Sequence, residues 1–294
     1  MILYHKIKNS LVYRLPILYK FLITVYFKIK KTPPEVLKTD LYNLVIFTGA
    51  AHTDMLNVCL NSIYKKFNKL PHIYIITDLS LSEANCIKSI SWFPKNHLTV
   101  ISGKSCIDKL EKSTDQNLKQ FALTNPLGLK LLAILHVLNF KKPLLYTDTD
   151  VIWYQDPFNE IVNFLSDPDF LMALSEDIQP AYDPRLIEDQ NLKELSDKPY
   201  YCTGILLTKE LNEGNLNLIR NLALGTIINS GHFTEQTILA FLNKQCGNRS
   251  LDKNKFILDL SDKQKFYPAK RSALIARHYV GEVRHLFWRD ALFN

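Results

Sequence analysis

The sequence predicts an α/β fold, in which a mostly parallel central sheet is covered by helices on both faces. Short apolar runs alternate along the chain with longer segments of helical spacing. Several of these runs are apolar throughout, as expected for strands buried on both faces. The chain has 294 residues, of which 47% are apolar and 22% charged, so one domain of this class can form its own core.

The predicted elements follow one another in a regular order from residue 43. The predicted strands are residues 43–48, 72–77, 98–102, 143–147, 170–174 and 204–208. The predicted helices are residues 54–67, 81–90, 126–140, 156–165 and 233–242. Pro126 and Pro157 lie near the starts of two of these helices, where the fixed φ of proline is favourable. Because open α/β sheets bind ligands at the carboxyl ends of their strands, the residues after each strand are the first candidates for a site.

The net charge of +7 is confined to an N-terminal leader, residues 1–31. This leader contains seven Lys and Arg residues and no Asp or Glu, so the other residues carry 29 basic and 29 acidic groups. Nucleic-acid binders usually place their basic excess on the folded domain, and the distribution therefore argues against that class. Arg14, Pro16 and Lys20 interrupt the apolar stretch and disfavour a membrane span. No small-residue cleavage site follows, which argues against a secretory signal.

Two interpretations of the leader remain open. It is either a basic amphipathic helix on an anionic membrane surface or a helix packed on the domain. We expect a linker over residues 32–42 and the catalytic domain over residues 43–294. The five cysteines include no C-x-x-C pair, which argues against structural zinc and favours a reducing compartment. We therefore expect a cytoplasmic protein, with peripheral membrane contact through the leader as one alternative.

The most informative motif is a pair of aspartates after the strand at residues 143–147. Asp148 and Asp150 are two residues apart, so in an extended chain their side chains point the same way and can reach one cation. Carboxylate oxygens suit magnesium or manganese, which also bind phosphate oxygens. A D-x-D motif after an apolar strand therefore predicts metal-assisted phosphate chemistry.

Two classes of enzyme use such a pair. One is the HAD-like phosphatases, in which Asp148 would be the nucleophile, but their motif usually lies near the start of the domain and needs a later acidic motif that we do not find. The other is the glycosyltransferases. A non-catalytic nucleotide-sugar-binding module is a third alternative.

Four segments in order resemble the GT-A nucleotide-diphospho-sugar glycosyltransferases, and especially the retaining group of glycogenin and the lipopolysaccharide galactosyltransferases. These segments are residues 45–50 (VIFTGA), 144–157 with the D-x-D and a following D-P-F, 234–237 (TEQT) and 278–285 (HYVGEVRH). The last is similar to the family's H-x-x-G-x-x-K. The resemblance implies a GT-A (Rossmann-like) domain and a divalent cation, manganese or magnesium. It also implies a nucleotide-sugar donor, most simply a UDP-sugar, and an unidentified glycan, lipid-linked or protein acceptor.

The resemblance also implies roles for individual residues. Asp148, Asp150 and His278 would bind the metal, and Gln236, Glu235 and Arg284 would be catalytic. Two candidates come from position alone: Lys130, on the helix before the D-x-D strand, either reaches the nucleotide or is a solvated charge, and Asp78, after the second strand, either contacts the base or caps the next turn. With these two, the donor-binding set would be Thr48, Gly49, Ala50, Asp78, Lys130, Thr149, Thr203, Gly204, Gly281 and Arg284. Within it, Gly281 lets the backbone approach the diphosphate, and Arg284, at the family's Lys position, neutralises the departing phosphate.

The sequence departs from the family pattern at three places. Glu235 replaces the usual Asp, Arg284-His285 replaces Lys-Pro, and Cys202-Thr203 stands where Asn is common. These differences leave the donor sugar unassigned. Seven basic residues against three acidic ones between residues 261 and 294 further predict a basic wall that faces the phosphates.

Overall fold

The computed structural model describes residues 2–110, 116–125, 127–189, 192–226, 231–265 and 272–294. Its strands are β1 (Lys38–Thr48), β2 (Leu70–Thr77), β3 (Leu98–Ser102), β4 (Leu144–Thr147), β5 (Val151–Trp153), β6 (Met172–Asp177), β7 (Tyr200–Thr208), β8 (Arg249–Ser250), β9 (Phe256–Leu258) and β10 (Ala276–His278). Its helices are α1 (Ile2–Ile29), α2 (Thr53–Lys66), α3 (Glu83–Ser89), α4 (Gly103–Leu110), α5 (Gln116–Thr124), α6 (Gly128–Leu138), α7 (Phe158–Ser166), α8 (Pro184–Asp189), α9 (Glu213–Thr226), α10 (Thr234–Gln245) and α11 (Leu286–Phe293).

The predicted α/β fold is confirmed. Within the described ranges, seven strands form the central sheet in the order β3-β2-β1-β4-β7-β6-β8, and β5, β10 and β9 form a small second sheet. β1, β2, β3 and β4 pair in parallel, whereas β7 is antiparallel to both of its neighbours. The carboxyl ends of β1, β2 and β4 therefore meet the beginning of β7 at one edge, and this edge holds the site.

Alternate residues of β1 pack on opposite faces of the sheet. Leu44 and Ile46 lie in a core cluster with Leu56 of α2, whereas Val45 lies in a second cluster with Leu131 of α6. All five of these residues are fully buried, at 0% exposure. Helices therefore cover both faces, and the runs that are apolar throughout are explained by burial on both sides.

Most boundary predictions hold to within a few residues, with one correction at the N-terminus. All six predicted strands and all five predicted helices have counterparts, although Pro126 lies outside the described residues. β1, however, begins at Lys38, so residues 38–42 belong to the sheet and not to a linker. The small second sheet was not predicted, because each of its strands has only three residues and gives no readable periodicity.

The leader is helical and packs on the domain. Val12 and Ile23 of α1 are 4% and 7% exposed and share a core cluster with Tyr279 and with Phe287 of α11. Packing on the domain, one of the two interpretations left open, is thus what the structure shows. No helix in the described part of the chain is both long and apolar enough to cross a bilayer.

Candidate active site

The D-x-D motif lies where β4 leaves the central sheet and β5 enters the small one. The backbone N–H of Asp148 donates to the carbonyl of Gly204 at 2.8 Å, which fixes the turn against the start of β7. Asp148 is partly exposed, whereas Thr149 and Asp150 are 5% and 6% exposed. Thr149 therefore faces the interior and can line a donor site only from behind the two carboxylates.

His278 reaches the aspartates because β10 pairs with β5. In this antiparallel pair His278 is opposite Val151, and the N–H of Tyr279 donates to the carbonyl of Asp150 at 2.9 Å. The His278 Nε2 atom consequently lies 3.1 Å from Asp150 Oδ1 and 3.6 Å from Asp148 Oδ2. One ligand atom from each of the three side chains lies within 4.8 Å of the other two. The predicted metal ligands are thus brought together.

This donor set fits a divalent cation such as manganese. Two carboxylates and one imidazole are ligands that manganese accepts, and one carboxylate faces solvent. Burial by itself would raise the pKa of Asp150, but His278 and Arg284 lower it, so the carboxylate is charged. Burial opposes charge on His278, yet neighbouring Cys202 and Asp150 raise its pKa well above the usual value. Because a metal binds the neutral imidazole, a metal ion and a proton would compete for His278.

Arg284 lies on the open side of this cluster. Its Nη2 atom is 3.0 Å from Asp150 Oδ2, and half of the side chain is exposed. It follows a short 3-10 turn, Gly281–Val283, in which Gly281 has a φ of +47°. That left-handed conformation requires glycine for an unstrained turn, so the backbone geometry here is consistent with the predicted role of Gly281.

Gly204 and Cys202 hold the imidazole from the other side. A Cβ atom on Gly204 would lie 2.1 Å from His278 Cε1, so only glycine permits this approach. The Cys202 Sγ atom lies 3.4 Å from His278 Nδ1. A proton on Nδ1, donated to this sulfur, leaves Nε2 free for a metal. The sequence showed Cys202 only as a departure from the family pattern, and its contact with His278 could not be inferred from it.

Lys130 links Asp148 to Glu235 beneath the site. Its Nζ atom is 3.3 Å from Asp148, 3.7 Å from Glu235 and 3.0 Å from the Thr203 hydroxyl. Burial lowers the pKa of Lys130, but the two carboxylates raise it above the usual value. Burial raises the pKa of Glu235 to about 7, although Lys130 opposes this. Glu235 is 1% exposed, so in this conformation it reaches the cleft only through Lys130.

Tyr146 belongs to the same network and was not among the predicted site residues. Its hydroxyl donates to Asp148 Oδ1 at 2.5 Å, and Lys130 Nζ lies 4.9 Å from the centre of its ring. In the sequence, Tyr146 resembles any other buried residue of β4, the strand that precedes the D-x-D motif. The only usable signal was its spacing of two residues from Asp148, which places both on one side of the chain.

The part of the site that is predicted to hold the nucleoside lies at the carboxyl ends of β1 and β2. The N–H of Asp78 donates to the carbonyl of Thr48 at 2.7 Å, and a Cβ on Gly49 would lie 2.0 Å from Asp78 Oδ2. The Ala50 N–H donates to the hydroxyl of Ser80, which donates to Asp78 Oδ1. Thr48, Gly49, Ala50 and Asp78 therefore form one cluster. Because β1 pairs with β4, this cluster neighbours the D-x-D turn along the same sheet edge.

Gln236 lies at the beginning of α10, next to Glu235. Its amide Nε2 donates to the carbonyl of Ala181 at 2.8 Å. Gln236 is half-buried, whereas Glu235 is buried. The amide is therefore held by the segment that follows β6, and one face of the side chain remains accessible.

The prediction that the basic residues between 261 and 294 face the phosphates is wrong for two of them. Arg277 and Arg289 are buried and form ion pairs with Asp262 and Asp290 at 2.5–3.4 Å. These four residues join β10 to α11 and neutralise one another. Two more basic residues of the set, at positions 270 and 271, lie outside the described residues. The prediction used only the numbers of basic and acidic residues in this segment, and such numbers do not distinguish paired from unpaired charges.

The chain is similar to known proteins in one segment of its sequence and in its fold. Residues 92–214 match the family model of nucleotide-diphospho-sugar transferases, and the matched segment includes the D-x-D motif. No curated protein matches the chain.

Three solved structures share the fold. Mouse xyloside xylosyltransferase 1 has a TM-score of 0.57 at 12% identity, over 83% of this chain and 99% of that one. The bifunctional glycosyltransferase WbbM has a TM-score of 0.54 at 12% identity, over 90% of this chain and 51% of that one. The glycosyltransferase GlyE of Streptococcus pneumoniae TIGR4 has a TM-score of 0.53 at 14% identity, over 86% of this chain and 61% of that one. The chain thus spans about half of WbbM and somewhat more of GlyE.

The family match covers the D-x-D segment, and the three structures share the architecture on which that segment is displayed. The chain thus has the fold of these glycosyltransferases, and its residues 92–214 resemble the nucleotide-diphospho-sugar transferases.

Proposed function

We propose that the protein is a metal-dependent glycosyltransferase that moves a sugar from a UDP-sugar to an acceptor with retention of anomeric configuration. The observation that supports this most is the convergence of Asp148, Asp150, His278 and Arg284 at the carboxyl end of the parallel strands. The proposed donor lies between this cluster and the nucleoside cluster at Thr48 and its neighbours.

Asp148, Asp150 and His278 would hold the cation. A bound manganese or magnesium ion supplies positive charge that stabilises the diphosphate leaving group. Arg284 holds Asp150 in the absence of donor, and its half-exposed side chain can turn to the departing phosphate. Gly281 would bring its backbone N–H close to the same group.

Lys130, Glu235 and Thr203 position the other side of the site. Lys130 lies against Asp148 and would stabilise negative charge near the donor sugar, while buried Glu235 fixes the lysine from below. Gln236 would lie near the anomeric carbon. For a retaining transfer, we propose that the leaving phosphate oxygen accepts the proton of the attacking acceptor hydroxyl, so that the new bond forms on the face from which the phosphate departs.

The acceptor would enter through a cleft of about 550 Å³, one of whose lining residues, Leu258 of β9, pairs with His278 of β10. Glu176, Asp177 and Asp259 are among the residues that line it. Burial raises the pKa of Asp177, while the charge of His278 lowers it, so the two residues are electrostatic neighbours. Carboxylates that accept hydrogen bonds from hydroxyl groups suit a carbohydrate acceptor.

The test is a donor screen. UDP- and GDP-sugars are incubated with the protein and manganese, and release of the nucleoside diphosphate is measured. We expect turnover of a UDP-sugar that is abolished by a chelator and by Asp150→Ala, but retained by Asp169→Ala, which removes an exposed carboxylate outside the site. Turnover that survives both the chelator and Asp150→Ala would contradict the proposal.

The phosphatase alternative makes a different prediction. It requires an acyl-phosphate on Asp148 and turnover of simple phosphomonoesters, and beryllofluoride would then trap an adduct. The comparisons give it no support, and Asp148 is engaged by Tyr146 and Lys130. We therefore expect no adduct and no phosphomonoester turnover.

A further inference from the structure

Helix α1 has two apolar faces, of which the domain covers only one. Val12, Pro16 and Ile23 are buried against the domain, at helical spacing. The other side exposes large apolar side chains that are 39–74% accessible: Leu11, Ile17, Leu18, Phe21, Leu22, Val25, Tyr26 and Ile29. A helix on the surface of a soluble domain normally has a polar outer side. An apolar surface of this extent marks an interaction site.

The outer face of α1, defined by these eight residues, is accompanied by basic groups only. Arg14 and Lys28 are exposed along the same helix, whereas Lys20 is paired with Asp54 of α2, and residues 1–31 contain no acidic side chain. Long basic side chains can place their charged ends at the level of lipid headgroups while their stems lie along apolar surface. The charge pattern therefore complements an anionic surface.

We propose that the outer face of α1 docks the protein on an anionic lipid bilayer, with the helix lying in the plane of the interface. A spanning orientation is disfavoured, because one face of the helix is already packed on the domain and its apolar content is too low. A second copy of the chain is a poorer occupant, because a symmetric contact would bring the same basic residues together. This inference is independent of the proposed donor and reaction.

Docking in this way would hold the donor site close to the membrane. The ring of Tyr13 lies 4.5 Å from that of His285, which directly follows Arg284, and Lys20 Nζ lies 5.3 Å from the ring centre of Trp288 in α11. Only the thickness of α1, about 10 Å, would then separate the Arg284 segment from the lipid surface.

The experiment is flotation of the full chain with vesicles. Vesicles of phosphatidylcholine alone are compared with vesicles that contain 30% phosphatidylglycerol, at roughly 0.05 and 0.5 M salt. We compare wild type with Ile17→Ser and Phe21→Ser, which truncate exposed side chains of the outer face. Leu123→Ser in α5, where the leucine is 52% exposed, is the matched control for loss of an exposed apolar side chain elsewhere.

The proposal predicts binding to the anionic vesicles that is weakened by salt. The partition coefficient should fall about tenfold for each outer-face variant, as expected when one large apolar side chain is lost from the interface, and remain unchanged for Leu123→Ser. Arg14→Gln should weaken binding about fivefold. Absence of binding, equal binding to both vesicle types, or a stable dimer in light scattering that Phe21→Ser dissociates would overturn the proposal.

Discussion

Replacing Gly204 by alanine tests how closely β7 supports His278, the histidine that we propose as a metal ligand. The added Cβ would lie 2.1 Å from His278 Cε1 and 2.3 Å from Nδ1. Non-bonded carbon atoms are in contact at roughly 3.5–4.0 Å, so the imidazole must move by more than about 1 Å. The ring cannot retreat freely, because His278 is 4% exposed and its backbone is paired with β5.

We expect Gly204→Ala to weaken manganese binding by about 10–100-fold, the usual range when the support of a metal ligand is disturbed. Donor turnover should fall by about 100-fold. Manganese binding is measured by electron paramagnetic resonance of the free ion, and folding is checked by thermal unfolding. The matched control is Gly214→Ala in α9, where the new Cβ meets only the flexible Asn212 side chain at 3.2 Å. A folded Gly204→Ala variant with wild-type manganese affinity would refute the reasoning.

Three further variants separate the roles of the surrounding residues. Arg284→Gln should lower kcat by about 100-fold or more, because the arginine acts on the leaving group. It should not weaken manganese binding, because the arginine competes with the cation for Asp150. Steady-state kinetics measure the first effect, and a manganese titration measures the second. Cys202→Val should weaken manganese binding by about tenfold or more, whereas Cys202→Ser, which keeps a partner for the His278 Nδ1 atom, should bind nearly as wild type in the same titration. Glu235 has a folded-state pKa raised to about 7, so the folded protein binds more protons than the unfolded chain between about pH 4.5 and 7, and this group destabilises the fold as pH rises through that window. Glu235→Gln should remove on the order of 3 kcal/mol of this pH dependence; an unchanged difference between the free energies of unfolding at pH 5 and pH 8, from urea titrations, would contradict it.

Much of the sheet and of the metal site could be predicted because local signals were strong. The D-x-D motif follows a fully apolar strand, and two aspartates at this spacing point to a cation without any knowledge of the rest of the chain. His278 is different, since it lies 128 residues away and reaches Asp150 only through the pairing of β10 with β5. Those strands are too short to be predicted, so His278 was identified through family resemblance alone.

Other features depend on tertiary contacts for which the sequence offers no signal. Arg277 and Arg289 were counted as phosphate-facing charges, but each is buried against carboxylates that only the folded chain brings near. Lys130 was assigned to the nucleotide, and the structure adds its contacts with Asp148 and Glu235. In each case the sequence shows a basic residue, but it does not show which carboxylate that residue contacts in the folded chain.

The central claim is that one divalent cation, held by Asp148, Asp150 and His278, binds the donor diphosphate. Electron–nuclear double resonance of manganese bound to the protein with UDP tests it most directly. We predict a phosphorus coupling from the diphosphate together with a nitrogen coupling that disappears in His278→Gln. Bound manganese that shows neither coupling, while UDP binds equally well in the presence of a chelator, would contradict the account.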